Sequence, residues 1–489
     1  MPDHSIGRLH ITSAVAIAGA GLITVAPLHP PTDVQVRAIQ LTSVDNADSS
    51  LGDGTALIVG GSGYPTPGQG YADAYDALYL HNFPGTLQSL TTPESLYPFT
   101  LPFSETLDAS AAQGAQDIVK AVDHLIAAGG VDAADPVVVT GYSQGALDDS
   151  LAMSLLTKQL VPSDDVHFVS LGDPSAPNGG LLERFDLPAG TNPEAPSLGL
   201  TFSGATPSDL YPTDIYTYEY DGFADFPKYP INIVSDLNAY LGILFNHVGY
   251  LGLTPEQVTP VADGGDAIQL PTSAADTLTD YYLIPSDSLP LLDPLRLVPF
   301  VGNPLADLLQ PDLKVLVNLG YGSIDNGFSP GYADVPTTLG FLPPQSVLDQ
   351  VPQALMNGLQ QGLQDAYRDL TTSSNYQLVS PETTAAVGPL LGTITAGGDL
   401  NDPSDLPNLI SAELNGIENW FTQGVTELSS THTGIPLIDM ASTVLFTLPQ
   451  IAENIFETEM AAGDPLDAIG DPIALTVGIA PLVLIGAIF

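Results

Sequence analysis

Short apolar runs alternate with segments of helical periodicity between about residues 55 and 227. We predict a buried strand where an apolar run is brief and ends at glycine or proline, and a helix where apolar positions recur every three or four residues. The predicted strands are Thr55–Gly61 (TALIVGG), Pro136–Thr140 (PVVVT), 166–174 (VHFVSLGDP) and 214–227 (DIYTYEYDGFADFP). The predicted helices are 106–128 and Gln144–Leu160, and a loop, SGYPTPGQGYADAY, is expected after the first strand. This alternation predicts the α/β class, with a mostly parallel central sheet flanked by helices.

The later part of the chain has a different pattern. Residues 268–345 contain many Leu and Pro residues and little periodicity, so we expect loops and short helices that cap the sheet, with any lid over the site in this stretch. Residues 346–489 are predicted to form a helical or irregular extension, in which no Lys or Arg follows Arg368. Its last eighteen residues, PIALTVGIAPLVLIGAIF, carry no charge and fit either a lipid-inserted tail or a core strand or helix.

The first thirty residues resemble an export signal. Arg8 and His10 precede ITSAVAIAGAGLITVAPL, an uncharged run of the length found in signal peptides. A buried helix rich in Ala and Gly is the alternative. We therefore expect an exported protein, secreted or held in the cell envelope, with residues 1–30 as a signal peptide or a membrane anchor.

The charge balance excludes several classes of function. Nine basic residues stand against 56 acidic ones, and the formal net charge is −47, so the surface repels nucleic acid. Contact with a membrane or the cell envelope would have to be hydrophobic, through the apolar termini. The chain has no cysteine, and its eight histidines show no metal-binding spacing, so we expect neither a metal nor a cofactor.

The sequence GYSQG, residues 141–145, has the Gly-x-Ser-x-Gly pattern of a nucleophile elbow. A predicted strand precedes it and a predicted helix follows, which is the context that the motif requires. Ser143 is the predicted nucleophile. A serine of this kind needs a histidine base, and the candidates that follow it are His167, His247 and His432. His247 is preferred, because His167 lies within a predicted strand and His432 lies outside the sheet pattern.

The third member of a triad would be an acid that orients the histidine. The segment YDGFADFP offers Asp221 and Asp225. Asp225 is preferred, because the predicted strand runs up to the turn at Gly222 and leaves Asp221 at the strand end. Asp173 is a third candidate.

An oxyanion hole should accompany the triad. One donor is expected from the backbone N–H of Gln144, the residue after the nucleophile. The other should come from the loop GGSGYPTP after the first strand, where Gly61 allows a close backbone approach and Ser62 adds a hydroxyl.

Several segments together resemble the serine-hydrolase domain of mycobacterial PE and PPE proteins, the PE-PPE domain, and are similar to cutinase-like proteins. They lie within residues 50–345 and include LIVGGSGYPTP, VVVTGYSQGA, SLGDPSAPNGGLLERF and YEYDGFADFPKYPINIVSDLNAYLG. The resemblance implies an α/β-hydrolase fold, ester or acyl-transfer chemistry on lipid-like substrates, and a triad of Ser143, an Asp of YDGFADFP and His247. Members that give the family its name begin with a helical PE or PPE module, whereas this sequence begins with the signal-like segment. Export by the general route is therefore expected, rather than export through such a module.

Three functions remain open from the sequence. The first is a serine carboxylesterase or lipase that hydrolyses acyl esters of lipid-like substrates. The second is an acyltransferase that moves acyl chains between cell-envelope glycolipids. The third is a non-catalytic surface protein that keeps the fold.

Overall fold

A seven-stranded sheet forms the centre of the fold in the computed structural model, which describes residues 51–100, 104–273, 277–298, 301–371 and 432–485. The strands of the described residues are β1 (Thr55–Ile58), β2 (Thr86–Ser89), β3 (Val137–Tyr142), β4 (Val166–Leu171), β5 (Glu194–Ala195), β6 (Leu200–Thr201), β7 (Thr213–Tyr218), β8 (Ile268–Gln269) and β9 (Thr279–Ile284). Strands β5 and β6 form a separate antiparallel pair, and the other seven form the central sheet. The sheet order is β2-β1-β3-β4-β7-β9-β8, with β8 antiparallel to β9 and all other neighbours parallel. The predicted α/β-hydrolase class with a mostly parallel sheet is confirmed.

Helices cover both faces of the sheet. They are α1 (Gln69–Tyr79), α2 (Leu107–Ala128), α3 (Gln144–Lys158), α4 (Leu181–Arg184), α5 (Ile233–Phe245), α6 (Pro255–Val258), α7 (Asp293–Arg296), α8 (Gly302–Leu319), α9 (Gln345–Leu348), α10 (Val351–Thr371), α11 (Pro436–Ser442), α12 (Leu448–Ala462) and α13 (Pro465–Ile485). A π-helical turn, Thr443–Thr447, joins α11 to α12. The predicted helices 106–128 and Gln144–Leu160 correspond to α2 and α3.

Alternate residues of the central strands pack against opposite layers. In β3, Val137 and Val139 belong to the hydrophobic cluster formed with α2 and α3, whereas Val138 belongs to the cluster formed with α1. Successive side chains of a strand point to opposite faces, so a sheet covered on both sides needs continuous apolar runs. The VVVT sequence of β3 meets this requirement. The strand that leads into GYSQG therefore lies in the interior of the sheet, between β1 and β4.

Two predictions about elements were wrong. The loop expected after the first strand contains helix α1, which begins at Gln69. The stretch 268–345 is more regular than expected, since it contributes β9, a strand between β7 and β8, and the 18-residue helix α8. Helix α8 continues through Pro311, and an interior proline is normally a signal that a helix ends.

Residues 432–485, here called the C-terminal cap, pack onto the hydrolase core. The largest hydrophobic cluster combines core residues such as Leu147, Phe185 and Phe226 with cap residues from α12 and α13. Among the described residues, α13 contains a stretch, Pro465–Leu484, that is long and apolar enough to cross a membrane, and 44% of it is buried. One face of α13 is thus part of the core, as one of the two interpretations of the tail predicted. The expected signal segment, residues 1–30, lies outside the described residues, and export stays a prediction.

Candidate active site

Ser143 lies on a strained turn between β3 and α3. Its backbone has φ 58° and ψ −115°, a conformation that a residue with a side chain rarely adopts. A Cβ at Gly141 would lie 2.4 Å from the carbonyl oxygen of Gly145, and a Cβ at Gly145 would lie 2.3 Å from that of Gly60. Glycine is therefore required at position 141 for β3 and α3 to approach each other this closely, and at position 145 for α3 to approach the loop that follows β1.

His247 connects the serine to an acid. It follows α5 and is buried, with Nε2 2.8 Å from Ser143 Oγ. Its Nδ1 lies 2.8 Å from Oδ2 and 2.9 Å from Oδ1 of Asp221. The structure thus brings together the predicted nucleophile and base in a continuous hydrogen-bonded chain that ends at a fully buried carboxylate.

The acid of this chain is Asp221, and the prediction of Asp225 was wrong in its geometry. Strand β7 ends at Tyr218, earlier than expected, so Asp221 already lies beyond the strand. The backbone N–H of Asp225 donates to the carbonyl of Asp221 and closes a tight turn. This turn directs the Asp225 carboxylate back to the N–H of Tyr220, 3.0 Å away, and His247 is not among its hydrogen-bond partners.

Sequence reasoning missed three residues that hold this arrangement. The Tyr250 hydroxyl donates to Asp221 Oδ2 at 2.8 Å and accepts from the N–H of Tyr218 at 2.7 Å. The Tyr142 hydroxyl donates to the carbonyl of His247. A Cβ at Gly172, where φ is 58°, would lie 3.1 Å from His247 Cε1. The only sequence signal was proximity, because Tyr250 lies three residues after the histidine and Tyr142 directly before the serine.

The remaining histidine candidates have partners elsewhere. His167 pairs with Asp214 on the neighbouring strand, with Nε2 3.0 Å from Oδ2. His432 lies in the cap, with Nδ1 3.2 Å from Oδ2 of Asp439. Neither is in contact with Ser143.

Asp173, the third acid candidate, is fully buried, and its carboxylate bonds to residues other than His247. Its carboxylate accepts from Ser175 N–H at 2.8 Å and from Thr206 Oγ1 at 2.6 Å. Burial raises its pKa to about 6.

The predicted oxyanion loop lies beside the nucleophile. A Cβ at Gly61 would lie 3.2 Å from Ser143 Cβ, so the backbone at this point approaches the serine closely. The Ser62 hydroxyl donates to Oε1 of Gln144 at 2.9 Å, and Gln144 Nε2 donates to Ser110 Oγ at 2.7 Å. In this structure the Ser62 side chain fixes that of Gln144, which leaves backbone N–H groups as the candidate donors.

Three buried carboxyl groups lie behind the elbow. Asp148 and Asp149 are fully buried on α3, and Asp149 accepts from Ser170 Oγ at 3.0 Å. Burial raises the pKa of Glu94 to about 7, and Glu94 and Asp148 interact with each other. The pKa of Asp148 and that of Asp149 are also raised well above their usual range, mainly by burial. The carbonyl of Glu94 accepts from Gly63 N–H at 2.7 Å, which connects this cluster to the oxyanion loop.

The hydrogen-bonded chain opens into an apolar cavity of about 690 Å³. This volume falls within the range of about 300–1,000 Å³ that is usual for small-molecule sites. Its polar end contains Ser62, Ser143, Gln144 and His247. Most of the remaining wall consists of Leu, Ile, Val, Phe and Tyr side chains. Of the described residues in the stretch 268–345, where a lid was expected, only Leu291 lines the cavity. No cluster of three or more His, Cys, Asp or Glu residues in the described ranges is arranged to hold a metal ion.

Comparison with known proteins identifies relatives of this chain. The PE-PPE domain matches residues 84–322, a range that contains Ser143, Asp221 and His247. The chain is 38% identical to the uncharacterized PPE family protein PPE28 of Mycobacterium tuberculosis over 456 aligned residues. This aligned region covers 91% of this chain and 66% of PPE28. It is 41% identical over 377 residues to the esterase PE16 of the same organism, over 73% of this chain and 67% of PE16. The chain thus spans about two thirds of the length of these two relatives.

Two weaker likenesses accompany these relatives. The diacyltrehalose acyltransferase Chp2 of Mycobacterium tuberculosis is 29% identical over 233 residues, which are 46% of this chain and 59% of Chp2. A solved structure of a cutinase-like protein from Cryptococcus sp. has a TM-score of 0.25 and 19% identity, over 37% of this chain and 82% of that protein.

Proposed function

Since the chain belongs to the PE-PPE domain family, we propose that it is a serine hydrolase that cleaves carboxylic esters with lipid-like acyl groups. The observation that carries this proposal is the hydrogen-bonded chain from Ser143 through His247 to Asp221 at the polar end of an apolar cavity. A hydroxyl, an imidazole and a carboxylate in this order are what an acyl-enzyme mechanism needs.

The mechanism follows from these contacts. His247 Nε2 accepts the Ser143 proton while Oγ attacks the ester carbonyl carbon, and the Asp221 carboxylate keeps the other proton on Nδ1 and stabilises the imidazolium. The negative charge on the carbonyl oxygen is stabilised by the backbone N–H of Gln144 and by the Gly61–Ser62 loop. The C–O bond then breaks, and the alcohol leaves with the proton from His247. Water then attacks the acyl carbon while His247 takes its proton, the bond between that carbon and Ser143 Oγ breaks, and His247 returns the proton to Oγ as the carboxylic acid leaves.

A second candidate is acyl transfer, in which a sugar hydroxyl takes the place of water. It is supported by the likeness to Chp2, which is named a diacyltrehalose acyltransferase. The name of PE16, an esterase, supports hydrolysis. Both reactions share the acyl-enzyme and differ in the nucleophile that resolves it.

The test is hydrolysis of p-nitrophenyl esters of graded chain length by wild type and Ser143→Ala. Loss of the nucleophile should lower kcat on the order of 10⁶-fold, because the triad acts as a unit. Ser163→Ala is the matched control, since Ser163 lies before β4 and does not line the cavity. Equal activity of wild type and Ser143→Ala would reject Ser143 as the nucleophile.

Two further measurements separate the alternatives. Adding trehalose or a trehalose ester and detecting an acylated sugar by mass spectrometry would favour transfer, whereas free acid alone would favour hydrolysis. A fluorophosphonate should label wild type and not Ser143→Ala. Absence of both labelling and ester cleavage in the wild type would contradict the proposal and favour the non-catalytic surface protein.

A further inference from the structure

We propose that the C-terminal cap forms the distal wall of the acyl-binding cavity and thereby sets the longest acyl chain that the site accepts. The inference rests on the ester chemistry proposed above. It assigns a binding role to a segment that lies beyond residues 84–322, the range matched by the family domain.

The cavity runs away from His247 along one face of α5. The α5 residues that line it are Leu237, Tyr240, Leu241, Ile243 and Leu244, and all of them except Ile243 recur at helical spacing. Leu244 lies seven positions after Leu237, which corresponds to about 10 Å along a helix. Leu244 also lies three positions before His247, so the wall begins near the reacting groups and continues with mainly apolar side chains.

The cap meets α5 in the distal part of this wall. The Tyr240 hydroxyl donates to the carbonyl of Gly478 at 2.6 Å. A Cβ at Gly478 would lie 3.0 Å from Phe185 Cζ, so glycine lets α13 approach the core closely here. Ile479 and Leu482, which follow on α13, both line the cavity. A chain attached to Ser143 and extending along α5 would therefore reach these two side chains.

A second contact holds the cap in place at its start. The fully buried carboxylate of Asp439 accepts from the Tyr97 hydroxyl at 2.9 Å and from Thr433 Oγ1 at 2.7 Å. The Ser197 hydroxyl donates to the carbonyl of Asp439 at 3.0 Å. Tyr97 and Ser197 belong to loops of the hydrolase core, so the cap is bound to the core at both α11 and α13.

The chemistry of the cap's lining residues points to an acyl chain. Met440, Leu448, Ile479, Leu482 and Val483 are apolar, and no charged cap residue lines the cavity. Thr443 is the polar member, and its hydroxyl already donates to the carbonyl of Asp439 at 3.0 Å. A polar head group would find no partner here, whereas burial of a hydrocarbon chain is favoured in proportion to the apolar area that it removes from water.

The first test fills the distal wall. Leu482→Trp places a larger side chain on the cavity wall, and Leu484→Trp is the matched control on the exposed side of the same helix. We expect kcat/KM of Leu482→Trp to fall at least 10-fold for p-nitrophenyl palmitate and less than 2-fold for the butyrate. The control should keep the wild-type profile. Leu482→Ala, which enlarges the cavity, should move the preferred length upwards and serves if the Trp variant does not fold.

The second test measures binding without catalysis. The fluorescent long-chain fatty acid cis-parinaric acid is titrated into Ser143→Ala and into Ser143→Ala with Leu482→Trp, and weaker binding is expected in the double variant. Ester cleavage with an unchanged length profile and unchanged binding would overturn the cap proposal and leave the proposed function intact. Weakened binding by a protein that cleaves no ester would reject the proposed function and support the cap as a hydrocarbon site.

Discussion

Two aspartates four residues apart have different surroundings, and this difference defines the site at the scale of single residues. Asp221 accepts from His247, from Tyr250 and from the N–H of Phe223. Burial raises the pKa of Asp225 well above its usual range, so that group favours its neutral form. Asp221 is therefore our proposed acid for holding the imidazolium.

Replacing each aspartate by asparagine tests this assignment. Asp221→Asn should lower kcat for ester hydrolysis by about 10⁴-fold, because the amide no longer keeps the proton on Nδ1 of His247. Asp225→Asn, the matched control, should leave kcat within a few-fold of wild type, since its side chain contacts the turn and not His247. The measurement is kcat with p-nitrophenyl butyrate on variants whose thermal unfolding has been recorded. A larger loss in Asp225→Asn than in Asp221→Asn would contradict the assignment.

The sequence was sufficient to select Ser143 and His247, which the structure places in contact. Ser143 could be predicted because the strand, the glycines and the helix are all adjacent in the chain. His247 could be predicted because few histidines follow Ser143. The choice between Asp221 and Asp225 depended on whether β7 ends at Tyr218 or continues to Gly222. That end point depends on the parallel pairing of β7 with β9, a strand more than 60 residues later whose existence was not predicted.

At the scale of elements, the elbow depends on the contact between α3 and the loop that follows β1. The carbonyl of Gly60 lies where a Cβ at Gly145 would be, and Gly60 precedes the candidate oxyanion residues Gly61 and Ser62. Any side chain at position 145 must move that loop or the helix. Position 145 therefore connects the nucleophile to the oxyanion loop.

We expect Gly145→Ala to lower kcat by about 10²-fold through misplacement of the oxyanion loop, and to cost about 1–3 kcal/mol of unfolding free energy through overpacking. Gly70→Ala is the matched control, because it is also the second residue of a helix but has open space around it. Alanine there should keep both the activity and the stability. The measurements are kcat and the midpoint of thermal unfolding. Unchanged activity in Gly145→Ala would show that the loop tolerates displacement.

Elements with regular patterns were predictable, and elements that depend on tertiary context were not. The valines of β3 and the helical spacing of α2 specify their structure locally. Strand β9 has the sequence TDYYLI, which lacks strict alternation, and is stabilised by β7 on one side and β8 on the other. Helix α8 packs against α10, and this contact compensates for the backbone hydrogen bond that Pro311 cannot donate.

At the scale of the whole molecule, buried acids make stability depend on pH. Burial raises the pKa of Glu94, Glu183 and Asp471 to about 7, that of Asp173 to about 6 and that of Asp236 to about 9. Each group binds its proton more tightly in the folded state than in the unfolded state. Folding therefore takes up protons, and stability must fall as the pH rises from about 4 through these folded-state pKa values. Repulsion within a chain of net charge −47 acts in the same direction.

The midpoint of thermal unfolding should thus be higher at pH 5 than at pH 8. In Glu94→Gln the side chain cannot ionise, so the unfolding free energy of this variant should decrease less between pH 5 and 7.5 than that of wild type. The difference should be on the order of 3 kcal/mol for a pKa shift of this size. Scanning calorimetry of wild type and variant at low and high salt measures the effect, because salt screens surface repulsion far more than buried groups. A wild-type midpoint that rises with pH would contradict the prediction.

The attachment of the cap was beyond sequence reasoning, since it depends on contacts between residues far apart in the chain. The Tyr97–Asp439 hydrogen bond spans 342 positions and the Tyr240–Gly478 bond spans 238. An apolar tail without charge looks the same whether it enters lipid or a protein core. The tail packs against a surface formed by Phe185 and α5, and this surface exists only once the chain has folded. The sequence alone therefore does not distinguish a lipid-inserted tail from one that packs in the protein core.

The position of the cap after the hydrolase core in the sequence also determines the order in which the two can form. Domains form progressively from the N-terminus as the chain is synthesised. All members of the proposed triad precede residue 248, yet α12 and α13 cover the apolar surface around Leu147, Phe226 and Tyr240 only after they emerge. The ribosome thus releases the proposed reacting groups long before the residues that enclose them, and residues 432–485 act on the growing protein as a partner that arrives late and is supplied by the same chain.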